Sequence, residues 1–450
     1  MSIQVVILAA GQGKRMYSSR PKVLQPLAGK PLLLHVVETA LPFASHPIVV
    51  CGHQAKVLQT ALSHCPLHWV EQKEQLGTGH ALLQALPQIT EERILILYGD
   101  VPLISVETLK QLIESTPSSA VGLLTAMLSQ PTGYGRILRD NKDRILGVVE
   151  EKEATPEQRA IQEINTGIYI VPTTYLKKWL PTLKNNNAQR EYYLTDIISL
   201  AVQEGIPIHS RQPAMKEEIL GVNDCVQLAE LERFYQRQAA EKLMRQGVIL
   251  ADPARIDIRG EVEIGRDVRI DVNVIFEGKV VIGEGCIIGP QVVLRDAQLG
   301  ARVEVKANSV IEGAHIADDG VIGPFARLRP GTVLEAAVHI GNFVEIKQSV
   351  VGAESKINHL SYIGDSEVGK QVNIGAGTIT CNYDGANKYK TIIGDHVFIG
   401  SGTELVAPLT IGKGATIGAG STITKEVPPE KLTLARAAQL TVEGWQRPEK

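Results

Sequence analysis

The sequence predicts an α/β protein with two unlike halves: an N-terminal Rossmann-like domain and a C-terminal left-handed parallel β-helix of hexapeptide repeats, with a linking helix between them. Three patterns predict it. Apolar runs alternate with helix-like stretches up to about residue 225, a helical pattern follows, and a six-residue repeat covers residues 264–427. Alternating strands and helices are typical of doubly wound sheets, and a short fixed period is typical of solenoids. We therefore expect three parts: residues 1–224, 225–247 and 248–450.

The first part has the rhythm of a doubly wound domain. Apolar runs at residues 5–8, 48–50 and 94–97 are typical of buried strands, and residues 31–41 have a helical pattern. Such alternation predicts a mainly parallel sheet. In the linker, apolar residues recur at helical spacing until Gly247, which predicts a helix of about twenty residues.

The repeat places an aliphatic residue every sixth position, most often followed by Gly, as in residues 264–268, 282–286 and 417–421. Three hexads make one triangular coil, and about eighteen residues per coil gives roughly nine coils. The aliphatic side chain would point into a common core, and the following Gly is expected to turn the corner. A β-sandwich with glycine-rich turns is the alternative, but it needs a strand spacing of about eight to twelve residues.

The composition excludes several classes of function. With 46 basic and 49 acidic side chains, the chain has no strong field to hold nucleic acid or an anionic membrane. No apolar run is long enough to span a bilayer, and residues 5–10 are too short for a signal peptide. Five cysteines without a C-x-x-C pair favour a reduced, cytoplasmic protein. No Cys/His cluster has zinc spacing.

A glycine-rich turn follows the first predicted strand. Residues 8–16 read LAAGQGKRM, and residues 21–24 read PKVL. Backbone N–H groups of such a turn can approach a phosphate, and Arg15 and Lys22 can neutralise its charge. The third Gly of a dinucleotide-binding fingerprint and the G-K-[ST] of a Walker loop are both missing.

Together these two segments resemble the signature of the nucleoside-triphosphate:sugar-1-phosphate nucleotidylyltransferases. Segments further along resemble, in order, those of the N-acetylglucosamine-1-phosphate uridylyltransferases. The resemblance implies that Arg15 and Lys22 are catalytic and that Asp100 and Asn223 bind Mg²⁺. It implies a UDP-sugar site formed by Leu8, Ala9, Ala10, Gly11, Lys22, Gln72, Gly77, Thr78, Tyr98, Gly99, Asp100, Gly135, Glu150, Asn165 and Asn223.

The chemistry explains why such residues are needed. Attack of one phosphate oxygen on another phosphorus brings two anions together, so catalysis depends on positioning and on charge neutralisation. Mg²⁺ keeps several waters and needs few protein ligands. One carboxylate and one amide oxygen therefore suffice.

Two segments of the second half depart from the repeat. Residues 357–362 include His359 and Tyr362, and a polar loop at residues 382–390 interrupts the hexads. Loops that interrupt solenoid repeats are usual binding surfaces.

Residues 323–331, 341–347 and 373–385 resemble the acetyltransferase half of the bacterial bifunctional enzymes that make UDP-N-acetylglucosamine for cell-envelope polysaccharide. The resemblance implies that His359 is the general base for attack of the glucosamine amine on acetyl-CoA. It implies that the sugar phosphate is bound by Arg329, Lys347, Tyr362 and Asn373, and that acetyl-CoA is bound by Ala376, Asn382, Tyr383, Ser401, Ala419 and Arg436.

The resemblance covers nearly the whole chain. It implies a bifunctional enzyme whose partners are glucosamine-1-phosphate, N-acetylglucosamine-1-phosphate, UTP and acetyl-CoA. One alternative is a nucleotidylyltransferase with a regulatory β-helix, as in ADP-glucose-forming relatives, but His359 and the Asn382 loop weigh against it. A second alternative is a non-catalytic scaffold. The joint presence of Lys22, Asp100 and Asn223 weighs against that.

Related hexapeptide acyltransferases associate about a threefold axis, so we expect a homotrimer. The polar loop and the tail leave the solenoid, and we expect Lys388 and Arg436 to be donated to a neighbouring chain. Four histidines lack a matching constellation and are expected to be structural or solvated: His35, His53, His80 and His396.

Overall fold

The computed structural model describes residues 2–11, 13–52 and 54–448. Gln12 of the glycine-rich turn and His53 lie outside the described residues. The chain forms two compact units, Met1–Tyr235 and Gln236–Lys450. Their boundary falls within one long helix, Cys225–Arg245, in the region where the sequence predicts the linker.

The first unit combines a sheet with helices on both faces. Its strands are β1 (Ile3–Ala9), β2 (Pro26–Leu27), β3 (Lys30–Pro31), β4 (Ile48–Cys51), β5 (His68–Glu71), β6 (Arg93–Tyr98), β7 (Val121–Met127), β8 (Gly135–Arg139), β9 (Ile145–Val149), β10 (Glu163–Pro172) and β11 (Ile208–Arg211). Its α-helices are α1 (Leu32–Ala40), α2 (Ala55–Ala61), α3 (Thr78–Ala85), α4 (Val106–Ser115), α5 (Pro156–Arg159), α6 (Thr173–Trp179) and α7 (Asp196–Gln203), and α8 (Cys225–Arg245) follows. Short 3₁₀ helices cover Lys14–Met16, Lys22–Leu24, Leu86–Gln88, Leu180–Thr182 and Lys216–Ile219.

The main sheet has the strand order β11-β7-β10-β6-β1-β4-β5, and β8 and β9 extend it from β10. Strand β1 runs parallel to β4 and β6, whereas β10 runs antiparallel to both β6 and β7. Six of the seven strands in this order share one direction, so the predicted mainly parallel sheet is confirmed, and β10 alone runs against the others. The reason is that the chain reaches β10 from the hairpin β8–β9 and not through a crossover helix.

Strand β1 shows how the sequence builds two core layers. Val5 and Ile7 pack in one layer with residues of α1, α2 and α4, while Val6 and Leu8 pack in the other with residues of α3, α6 and α7. Leu8 lies in register with Tyr98 at the end of β6. The loops that follow β1 and β6 therefore emerge side by side at the carboxyl edge, where open α/β sheets bind ligands.

The second unit is a parallel β-helix with three faces. The first face stacks Ile249–Leu250, Arg269–Ile270, Ile287–Ile288, Glu304–Val305, Val321–Ile322, His339–Asn342, Lys356–His359, Asn373–Ile374, Phe398–Ile399, Thr416–Ile417 and Leu432–Thr433. The second face stacks Ile256–Ile264, Val274–Ile282, Val293–Arg295, Val310–Glu312, Arg327–Leu328, Glu345–Lys347, Tyr362–Gly364, Ile379–Cys381, Glu404–Val406 and Thr422–Ile423. The first two of these strands continue onto the third face, which adds Gln298–Leu299, His315–Ile316, Val333–Leu334, Val350–Val351, Ser366–Val368, Thr391–Ile393 and Leu409–Ile411. Aliphatic residues of all faces fill one continuous core.

The predicted role of the repeat glycine as the corner residue is wrong. Gly265 has no left-handed φ, and a Cβ there would lie 2.7 Å from the backbone nitrogen of Glu284 in the next coil. Asp267, two residues later, takes the left-handed conformation with a φ of 58°. The glycine after the aliphatic residue is needed because the backbones of stacked coils approach closely at that position. The corner itself, two residues later, tolerates a side chain.

No helix among the described residues is both long enough and apolar enough to cross a membrane.

Candidate active sites

A cavity of about 540 Å³ opens at the carboxyl edge of the first unit's sheet. Ten of the predicted UDP-sugar residues line it: Leu8, Ala9, Ala10, Gly11, Lys22, Gln72, Gly77, Thr78, Tyr98 and Asp100. Five residues outside that prediction also line it: Lys14, Val23, Gln75, Ala81 and Glu191. The loops after β1, β5 and β6 thus form one concave site.

Two oxygens converge on one cation in this cavity. The Lys22 ammonium forms an ion pair with Asp100 Oδ2 and lies 3.3 Å from Asn223 Oδ1. A backbone hydrogen bond from Val222 N to Asp100 O (2.9 Å) fixes the two segments next to each other. Carboxylate and amide oxygens are the ligands that hard divalent cations prefer, so the pair Asp100 and Asn223 fits such an ion. No group of three His, Cys, Asp or Glu side chains suited to a metal occurs among the described residues.

Part-buried hydrogen bonds shape another part of the cavity wall, the loop after β5. The side chain of Gln72 donates to Gly77 O (3.1 Å) and contacts His80 Nδ1 (3.0 Å). Gly77 has a φ of 104°, and a Cβ there would meet the carbonyl oxygen of Tyr192 at 2.8 Å. Gln75 donates to Ala10 O (2.7 Å) and so ties this loop to the glycine-rich turn. His80 is thus held by internal hydrogen bonds.

The predicted sugar contacts surround the cavity without lining it. Glu150 Oε2 lies 3.6 Å from the position that a Cβ on Gly135 would take, and Glu150 Oε1 accepts from the Thr195 hydroxyl (2.9 Å). Burial raises the pKa of Glu150, and the Thr195 hydrogen bond partly offsets this. Asn165 Oδ1 accepts from the Tyr169 hydroxyl (3.0 Å). The predicted sugar contacts therefore combine a glycine, which leaves space, with side-chain oxygens that can accept hydrogen bonds.

Two predicted residues take other places. Arg15 is exposed and does not line the cavity. Gly99 lies beneath the site, where a Cβ would come within 3.1 Å of Ala9 Cβ and of the Leu33 side chain. Gly99 therefore permits close packing below the site, whereas Arg15 lies next to a lining residue, Lys14, without lining the cavity itself.

An open cleft of about 490 Å³ lies on the first face of the β-helix. Five predicted residues line it: His359, Asn373, Ala376, Ser401 and Ala419. His359 Nδ1 lies 2.9 Å from Asn342 Oδ1 in the preceding coil. With the amide oxygen facing the ring, Nδ1 donates its proton and Nε2 keeps a lone pair. This arrangement suits a general base.

Charged residues follow one another at a single position of the second face. Neighbouring coils pair Arg259 with Glu277, then Glu277 with Arg295, and then Arg295 with Glu312. Opposite charges directly across a ladder stabilise it.

This alternation breaks at the predicted sugar-phosphate residues. The next two coils place Arg329 and Lys347 at the same position, because Leu328 pairs with Ile346. Two adjacent cations favour an anionic ligand.

Acidic and amide side chains hold these two cations in place. Arg329 Nη1 lies 2.9 Å from Glu345 Oε1, and Lys347 Nζ lies 3.3 Å from Asp365 Oδ2. Asn382 donates to the same Asp365 oxygen. Arg329, Lys347 and Asn382 are absent from the lining of the cleft. The predicted acetyltransferase residues therefore form two groups on two faces of one chain.

The remaining predicted residues lie near these groups. Tyr362 is half-buried on the second face, and Tyr383 is exposed, with its hydroxyl 2.5 Å from Gly385 O. Arg436 Nη1 donates to Ala419 O (2.8 Å) of its own chain. The like charge of the Lys347 ammonium lowers the pKa of Lys388.

Sequence reasoning missed two residues that orient predicted ones. Asn342 contacts His359 from 17 residues earlier in the chain, so the coil period would have revealed it. Thr195 holds Glu150 across 45 residues, and no local pattern signals such a contact.

Comparisons with known proteins agree with this division. The model of the MobA-like NTP transferase domain matches residues 5–195, that of the GMPPB C-terminal domain matches residues 258–341, and that of the bacterial transferase hexapeptide matches residues 390–425. A UDP-glucose pyrophosphorylase solved in complex with UDP-glucose aligns with 53% of this chain and 100% of its own, at 19% identity and a TM-score of 0.45.

Curated relatives match the chain over its full length. The bifunctional protein GlmU of Azoarcus sp. (strain BH72) is 56% identical over 100% of both chains. Its namesake from Nitrosospira multiformis is 57% identical over 100% of this chain and 98% of its own, and that from Cupriavidus pinatubonensis is 56% identical over 100% and 99%. The resemblance predicted from the motifs is confirmed. The chain belongs to the GlmU family of bifunctional uridylyltransferases and acetyltransferases.

Proposed function

We propose that the chain makes UDP-N-acetylglucosamine in two steps. Glucosamine-1-phosphate takes an acetyl group from acetyl-CoA at the β-helix, and the resulting N-acetylglucosamine-1-phosphate takes UMP from UTP at the first unit, with release of pyrophosphate. The observation that carries the proposal is that each unit has its own cleft, each lined by residues of one predicted set. A regulatory β-helix would not need His359 oriented by Asn342 in such a cleft.

In the first unit, the residues present can bind and orient two anionic substrates. Asp100 and Asn223 would hold Mg²⁺, which when bound neutralises charge on the transferring phosphate. Lys22, now between these two side chains, would then be free to contact a phosphate oxygen, and the turn at Gly11 would present backbone N–H groups. Glu150 would accept a hydrogen bond from a sugar hydroxyl.

In the second unit, His359 Nε2 would take a proton as the substrate amine attacks the thioester carbonyl. The Asn342 contact keeps the ring in the tautomer that can do so. Arg329 and Lys347 would bind the sugar phosphate, and the cleft wall from Ala376 to Ala419 would bind acetyl-CoA.

The chain would act as a homotrimer in the cytoplasm, because hexapeptide acyltransferases associate about a threefold axis and because the reaction needs cytoplasmic co-substrates. The functional domains would be residues 1–224 and 248–450. Residues 225–247 would form the linker between them.

Three incubations of the purified chain test the proposal. With glucosamine-1-phosphate, acetyl-CoA, UTP and Mg²⁺, mass spectrometry should find UDP-N-acetylglucosamine. Without UTP the product should be N-acetylglucosamine-1-phosphate, and N-acetylglucosamine-1-phosphate with UTP alone should still give the UDP-sugar. Failure of the second incubation with success of the third would mean that the β-helix does not catalyse acetyl transfer. A chelator should stop the third reaction, and added Mg²⁺ should restore it.

A further inference from the structure

An ion pair between a buried guanidinium and a half-buried carboxylate lies next to the predicted sugar-binding residues of the first unit. The Arg136 side chain is 2% exposed, and its Nη2 atom lies 2.6 Å from Glu151 Oε2. Arg136 directly follows Gly135 on β8, and Glu151 directly follows Glu150 after β9. Arg136 pairs with Val149 across the antiparallel hairpin, so Gly135 and Glu150 face each other. The ion pair therefore closes the end of the hairpin that carries both predicted sugar contacts.

The Arg136 guanidinium also ties backbone segments together. It donates to Tyr134 O in the loop before β8, and to Arg159 O at the end of α5 at 3.4 Å. Arg159 Nε in turn donates to the carbonyl oxygen of Glu151 at 3.3 Å. Tyr134 also lines a second cavity together with Gly221, which lies two residues before the predicted amide ligand of the metal. The segment held by Arg136 therefore lies between the predicted sugar contacts and the segment that carries Asn223.

Stability alone does not account for this pair. Burial of a guanidinium is unfavourable unless it is paired, and well-packed apolar residues can often replace a buried ion pair without loss of stability. Within the described part of the chain, neither Arg136 Nε nor Glu151 Oε2 has a hydrogen-bond partner, although the two side chains form a short ion pair, so burial is incompletely compensated. Neither Arg136 nor Glu151 lines the cavity. A role in holding neighbouring residues explains a buried charge at this place.

We propose that Arg136 and Glu151 are positioning residues that hold Gly135 and Glu150 at the spacing required by the sugar phosphate. The inference rests on the proposed uridylyl transfer and concerns one of its two substrates. Loss of the pair would loosen the hairpin that faces the sugar, while the loops after β1 and β5, predicted to bind the nucleotide, are held by separate contacts such as Gln75 to Ala10. The KM for N-acetylglucosamine-1-phosphate should therefore rise, and the KM for UTP should not.

The test uses the full-length chain with Glu151→Gln and a matched control, Glu204→Gln. Glu204 has nearly the same exposure, 30% against 29%, and pairs at 2.8 Å with Lys178 of α6, from the end of α7. A misplacement of about 1 Å in groups that position a substrate can cost on the order of a hundredfold in catalytic efficiency. Glu151→Gln should therefore raise the KM for the sugar phosphate by about tenfold or more. The KM for UTP should stay within about twofold, and the control should leave both constants unchanged.

Further variants separate positioning from folding. Arg136→Met combined with Glu151→Gln should be no worse than Arg136→Met alone, because the two residues act as one unit. If Glu151→Gln does not fold, Arg136→Lys carries the test, since it keeps the charge but loses the planar fork, and its sugar-phosphate KM must still rise. Unchanged KM values, or equal rises for both substrates, would overturn the inference. Absence of uridylyl transfer in the unmodified chain would instead refute the proposed function.

Discussion

The two units assemble their candidate sites over very different distances along the chain. In the first unit, Lys22 meets Asn223 across 201 positions, and Gln75 meets Ala10 across 65. In the second unit, His359 contacts Asn342 across 17 positions. A doubly wound sheet brings distant loops to one edge, whereas a solenoid brings together residues one coil apart. The first unit therefore gathers most of its predicted site residues around one cavity, and the β-helix presents separate groups on separate faces.

This difference explains why one chain brings most of the predicted uridylyltransferase residues to one cavity but leaves the predicted acetyltransferase residues on two faces. His359 and the cleft lie on the first face, and Arg329 and Lys347 lie on the second. A rigid coil cannot fold one face onto another, so a substrate that uses both groups must lie across a corner or be covered by another chain. The proposed homotrimer would supply that cover.

The largest expected effect tests whether the two sites are independent. His359→Ala should lower acetyl transfer by about a hundred- to ten-thousandfold, because it removes a positioned general base. Conversion of supplied N-acetylglucosamine-1-phosphate to the UDP-sugar should be unchanged. His315→Ala, an exposed histidine on the third face, is the control and should affect neither rate. Loss of both activities in His359→Ala would indicate misfolding. Loss of neither would show that His359 has only a structural role in the β-helix.

The second prediction changes the metal site of the first unit and uses the activity of the second unit as the reference. Asp100→Ala should lower uridylyl transfer by at least about a hundredfold, the scale of losing a charge-stabilising group in such a site. Asn223→Ala should do the same, and Mg²⁺ titration should show a higher concentration at half-maximal rate. Acetyl transfer by the same preparations is the internal control. Full activity of Asp100→Ala at saturating UTP would remove Asp100 from the metal site.

How much of each site the sequence predicts follows from the same contrast. In the β-helix the period places every residue on a face, so the core and the interruptions can be predicted from the sequence. The corner geometry at Asp267 cannot, because it depends on backbone contacts between coils. In the first unit, motifs identify Lys22 and Asp100, but partners such as Thr195 come from unrelated positions and emerge only when the sheet is assembled.

A third prediction concerns the open site of the β-helix. Lys388 lies in an exposed loop, and the like charge of the Lys347 ammonium in its own chain lowers the pKa of Lys388. This repulsion would be smaller if Lys388 were bound in the acetyltransferase site of a neighbouring chain. Mixing His359→Ala and Lys388→Ala chains, after dissociation and reassembly, should therefore restore about a quarter of the acetyltransferase sites, since each shared site draws at random on two chains. No recovery in verified mixed trimers would show that each chain completes its own site.

The smallest expected effect concerns Glu150 of the first unit, whose contribution to stability can be measured separately from its contribution to sugar binding. Burial raises the pKa of Glu150 in the folded chain. The protonated form is therefore favoured on folding, and stability is lost as the pH rises from the unfolded pKa through the folded one. Glu150→Gln cannot ionise but can still accept the Thr195 hydrogen bond.

The first unit of Glu150→Gln should accordingly melt higher than the unmodified protein at pH 8, by about 2–4 °C for each kcal/mol gained. The difference should shrink towards zero as the pH falls to the ordinary range of a glutamate. Calorimetry of both proteins across this range measures it, and the transition of the second unit, which lacks the substitution, serves as the reference. The same variant should bind N-acetylglucosamine-1-phosphate more weakly, because an amide is a poorer acceptor than a carboxylate for a sugar hydroxyl. A variant that is less stable at pH 8 would mean that the Glu150 charge is compensated within the folded site.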